Sequence, residues 1–125
     1  MLQQARLLRL TGDDEGAGKL AATAFKLNSK LGDAAYLAGE CAEASQKFDR
    51  AVAWFEQVPS DDPGLQADAL FRAAEICFEK TGELSRAEQF YRAVIELGSK
   101  RVAAITQLAR LLALSGRSRE VEEFV

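Results

Sequence analysis

Apolar residues recur along the chain at intervals of three and four, in stretches that come in successive pairs. The first stretches cover residues 1–11, 33–45, 65–80 and 101–114, and the second cover 14–28, 48–58, 84–97 and 117–125. Within the second stretches, Ala17/Leu20/Ala21/Ala24, Ala51/Trp54/Phe55/Val58 and Ala87/Phe90/Tyr91/Val94 keep the i, i+3, i+4, i+7 spacing of one helical face, and Val121/Phe124/Val125 begin it again. The first stretches carry their apolar stripe through Leu7/Leu8, Cys41/Ala42, Ile76/Cys77 and Leu111/Leu112. No segment alternates with period two over a useful length, so the pattern predicts an all-α chain.

These stretches repeat with a period of about 35 residues. A small residue returns at Ala5, Gly39, Ala74 and Ala109, with spacings of 34, 35 and 35. A turn residue follows at Gly12, Gln46, Gly82 and Gly116, and the helical face then restarts at Ala17, Ala51, Ala87 and Val121. Helices approach to about 8 Å only where small side chains meet, which gives Gly39 or Ala74 and Ala51 or Ala87 a packing purpose. Phe55 and Tyr91 then wedge against the next pair. Punctuation between helices follows: Gly32 is expected to stop a helix in the left-handed conformation with Asp33 capping the next, and Gly98-Ser99 to repeat that logic. Asp62-Pro63 supplies an N-cap followed by proline at the first helical position.

The segments YLAGECAEASQKFDRAVAWFEQVP and LFRAAEICFEKTGELSRAEQFYRAVIEL carry this pattern best, and through them the chain resembles the tetratricopeptide repeat family. The resemblance covers nearly the whole length. It departs at Ala35, Leu70 and Ile105, where the family has tryptophan, at Gln46 in a glycine position, and at Ala21 in an aromatic one. It implies a right-handed α-solenoid of antiparallel helix pairs, one domain over 1–125 with repeats near 1–31, 32–64, 65–99 and 100–125, the first and last incomplete. The apolar ending EVEEFV suggests either a piece of a longer array or an end that docks on another copy.

Composition narrows the function. The formal charge is −3, and the sequence pI of about 5.1 gives no basic field for phosphate backbones. Binding of RNA is therefore disfavoured. No apolar run approaches the roughly 18 residues of a membrane span. The opening residues, interrupted by Arg6 and Arg9, do not form a signal peptide. Cys41 and Cys77 read as buried free thiols, which points to the cytoplasm unless a leader has been removed.

Catalytic chemistry has little to stand on. Histidine is absent, removing the commonest base near neutral pH and the commonest zinc ligand. GDDEGAGKL imitates a phosphate loop, but five residues separate Gly12 from Gly18 instead of four and Leu20 replaces the magnesium-binding hydroxyl. Asp13-Asp14 and Asp61-Asp62 read as helix-starting carboxylates, and Gly16 and Gly18 as loosening a first helical turn. No catalytic residue, metal site or cofactor is expected.

The resemblance directs attention to the concave face. In the family's register it would be lined by Tyr36, Phe71, Leu2 and Thr106, by Arg6, Glu40, Glu75 and Arg110, by Arg9, Glu43, Phe78 and Ala113, and by Asp33 and Asp68. That groove would be acidic and aromatic at its middle and basic at its ends, and it lacks the family's clamp for a C-terminal carboxylate. The resemblance implies a noncatalytic scaffold holding a protein or peptide with basic and apolar residues. The plainer alternative pairs Glu40 with Arg6, and Glu75 with Arg72 or Arg110, across adjacent helices. Other readings are a self-assembling structural module and a regulatory segment of a larger enzyme.

Overall fold

The computed structural model describes residues 2–116, and the expectations for 117–125 lie outside that range. Seven α-helices follow one another among the described residues: α1 (Leu2–Leu10), α2 (Asp14–Leu27), α3 (Gly32–Ala44), α4 (Phe48–Glu56), α5 (Pro63–Ile76), α6 (Leu84–Leu97) and α7 (Arg101–Leu114). Each packs against its neighbours in sequence, so α1/α2, α3/α4 and α5/α6 form hairpins that stack into an α-solenoid. The first helices also touch one another directly, α1 on α3 and α3 on α5, and make a continuous row.

Small residues set this geometry. Ala5, Ala74, Ala17, Ala51 and Ala87 are fully buried where helices cross. At Gly39 a Cβ would stand 2.7 Å from the Phe55 ring, so α3 and α4 close only because no side chain intervenes. Two apolar clusters result, one centred on Phe55, Tyr91 and Leu108 and one on Ala21, Leu37 and Cys41, with Trp54 packed against both. Both cysteines are free and buried, and burial raises each thiol pKa above its ordinary value.

Helix ends correct part of the expected punctuation. Asp13 and Asp62 cap α2 and α5, accepting from the amides of Gly16 at 2.9 Å and Leu65 at 3.2 Å. Gly98 is left-handed, with φ of 88°, but Lys100, not Ser99, stands at the N-cap of α7. Gly32 is not a stop: it is the first residue of α3, and Asn28 ends α2 in an extended conformation. A Cβ there would stand 3.1 Å from the end of the Leu65 side chain, so any larger residue would require Leu65 to shift. Gly18 likewise serves approach, its Cβ position lying 3.3 Å from that of Cys41.

The chain past α5 continues as a π turn over Cys77–Thr81 before the left-handed Gly82. Its cause is visible in the numbering. Gly12, Gln46 and Gly116 follow Ala5, Gly39 and Ala109 by seven positions, but Gly82 follows Ala74 by eight. The widened turn takes up that extra residue.

All four repeat turns are left-handed: Gly12, Gly82 and Gly116 have φ of 92°, 72° and 74°, and Gln46 has φ of 61°. An L-residue pays about 1 kcal/mol there. Gln46→Gly is therefore expected to stabilise the fold by about 1 kcal/mol, read as a higher urea midpoint with unchanged slope.

Candidate functional site

The row of first helices carries a polar lattice that ties each repeat to the next. From α1, Arg9 pairs with Glu40 of α3 at 3.2 Å and with Asp14 at 3.6 Å, while Arg6 reaches Asp33 at 4.0 Å. Arg72 of α5 donates to Glu40 at 2.8 Å and Glu43 at 2.9 Å, and touches the Tyr36 hydroxyl at 3.5 Å. Its guanidinium also lies over the Tyr36 and Phe55 rings. Burial opposes the Arg72 charge, but hydrogen bonds and attraction from Tyr36, Glu43 and Glu40 outweigh it and hold its pKa above the ordinary value.

One repeat further, Glu75 accepts from the Tyr91 hydroxyl at 2.6 Å and from Gln107 Nε2 at 2.8 Å. Phe71 and Phe78 meet the fully buried Tyr91 edge-on, with centroids 5.9 and 6.4 Å away. Arg110 lies over Phe78 and donates to Gln107, and Lys100 pairs with Asp68 at 3.4 Å while covering Phe71. An open hollow of about 590 Å³ lies at the other end of the row, against Arg6, Arg9, Leu10, Leu37 and Glu40.

The expected residues are thus brought together in two groups. Arg6, Arg9, Tyr36, Glu40 and Glu43 gather around α1 and α3; Phe71, Glu75, Phe78 and Arg110 gather around α5 and α7. The pairings differ from the plain alternative. Glu40 binds Arg9 and Arg72, not Arg6, and Glu75 binds two neutral donors instead of Arg72 or Arg110. Arg72 therefore sits in the middle of what the sequence presents as an acidic stretch. Arg72, expected beside Glu75, and Gln107, for which no role was expected, answer to one signal: each lies 32 residues after the glutamate it binds, one repeat less about one helical turn.

GDDEGAGKL forms the capped start of α2. Among the described residues, no group of three or more His, Cys, Asp or Glu could hold a metal ion, and no helix is long and apolar enough to cross a membrane.

Burial, and then the hydrogen bond to Glu75, push the Tyr91 pKa far above its ordinary value near 10. A folded-state pKa above the unfolded one gives stability that is whole below pH ~10 and is lost as the pH rises beyond it. Tyr91→Phe is expected to flatten the fall in stability above pH ~10, measured by urea unfolding between pH 8 and 11.

A model of the tetratricopeptide repeat matches residues 20–100. The crystal structure of MamA is similar in fold, with a TM-score of 0.81 over 98% of this chain and 71% of that chain, at 15% identity. No curated protein matches the chain.

Proposed function

The chain belongs to the tetratricopeptide repeat family, a family of protein-interaction scaffolds, and from that premise we propose that a partner docks along the concave, first-helix face without chemistry being done on it. The observation that carries this reading is the lattice itself. Its glutamates and arginines are already held in place, so a partner would meet a pre-organised surface and lose little entropy in ordering it. Tyr36, Phe71 and Phe78 are only partly buried and offer apolar area beside those charges.

The partner we propose is a protein or peptide segment with apolar residues as anchors and basic residues to engage Glu40, Glu43 and Glu75. Because Arg72 and Arg9 already balance part of that acidity, the charges would contribute orientation and association rate more than affinity. The test is to titrate the partner captured from the source cells into wild type and a Glu40→Gln/Glu75→Gln variant, which keeps side-chain size. At least tenfold slower association with unchanged circular dichroism is expected; an unchanged association rate would remove the concave face from the reading.

A second reading, self-assembly, is favoured by one comparison. Cys41, Ile76 and Leu111 are 2%, 2% and 1% exposed, whereas Leu7, at the same repeat position in α1, is 61% exposed beside Leu10 at 83%. That face is built to receive another helix. Light scattering over a hundredfold concentration range is expected to show mass rising for wild type and constant for Leu7→Glu; constant mass in both excludes this reading.

A further inference from the structure

The groove between α2 and α4 lacks a carboxylate that the next groove has. The first residues of α4 and α6 are Phe48 and Leu84, which sets Lys47, Arg50 and Trp54 in register with Glu83, Arg86 and Phe90. Likewise α2 begins at Asp14, which sets Gly18 and Ala22 in register with Val52 and Glu56 of α4.

Between α4 and α6 the groove is closed from within. Arg86 pairs with Glu56 at 2.7 Å and with Glu83 at 3.3 Å, its guanidinium lies over the Phe90 ring, and Val52 is 1% exposed. Between α2 and α4 each of those partners is replaced. Ala22 stands for Glu56, Lys47 for Glu83, and Gly18 for Val52. What remains is a cavity of about 230 Å³ floored by small residues of α2 and α3, with Trp54 and Arg50 on its walls. Its own acids each meet another cation, Asp14 the Arg9 side chain at 3.6 Å and Glu15 the Lys19 side chain, also on the wall, at 3.9 Å. Among the described residues, neither Arg50 nor Lys47 has an ion pair or side-chain hydrogen bond, and both also line an adjoining hollow of about 370 Å³.

We propose that this groove is a docking site for an acidic segment of a partner protein. A glutamate or aspartate of that segment takes the place Glu56 occupies one repeat on, between Arg50 and Lys47. An adjoining apolar side chain fills the space over Gly18 and Ala22 against Trp54. Two cations facing one carboxylate give the charge complementarity, and the small floor gives the apolar half of the contact. This site is independent of the concave-face reading: it uses none of the same residues and asks for the opposite charge.

Trp54 is the only tryptophan of the chain, so its emission reports on the site directly. The probe is acetyl-Leu-Glu-Leu-Glu-amide, titrated at low salt, with acetyl-Leu-Gln-Leu-Gln-amide as its neutral counterpart. Wild type is expected to show a saturable change with the glutamate peptide and at least tenfold weaker binding of the glutamine peptide. Ala22→Glu restores the internal carboxylate, so it is expected to weaken the peptide at least tenfold while raising the melting temperature. Arg50→Met, on the helix surface, is expected to weaken it to the same degree and serves if Ala22→Glu does not fold. A wild-type protein without a saturable change, equal binding of the two peptides, or an Arg50→Met variant that binds like wild type would each overturn the proposal. Displacement of the peptide by equimolar inorganic phosphate would overturn it too, by reducing the site to a general anion site.

Discussion

Everything in this array depends on helices crossing with no side chain between them. Gly39 against Phe55 is the tightest case, and Ala5, Ala74, Ala17, Ala51 and Ala87 are the milder ones. Once the backbones are that close, the large residues have to pack beyond the crossing point, which is where Phe55 and Tyr91 sit, fully buried. Close approach within a hairpin thus forces contact between hairpins. The core is continuous because its smallest residues are placed regularly, and its largest residues only occupy what those leave open.

The polar lattice is laid over this core and answers to different physics. Its pairs are partly exposed, so each contributes modestly to stability and weakens with salt. The Glu75 cluster is different, because Tyr91 brings it a hydrogen bond from a buried hydroxyl. The two halves of the first-helix row therefore differ in character: paired charges around Arg72, and a carboxylate held by neutral donors beside Tyr91.

Helices and repeats were legible in the sequence because they follow from periodicity, and periodicity is a property of the chain alone. The stretch at 84–97 coincides with α6, and Asp62-Pro63 opens α5 as expected. The side-chain pairings were less legible. They are set by the diagonal offset between stacked helices, which places Arg72 beside Glu40 when the repeat period points to Glu75. Gly32 misled for a related reason. A glycine serves both turns and close contacts, and only the neighbouring Leu65 decides between them.

The π turn at Cys77–Thr81 bears on how such a molecule changes over generations. In a stacked array one inserted residue threatens every contact downstream, since each hairpin is positioned by the one before. Here the surplus is swallowed within a single helical turn, Gly82 keeps its left-handed geometry, and α6 and α7 resume the common pattern. A one-residue change of length can thereby be taken up within the repeat that carries it, with the stacking of the helices beyond it kept.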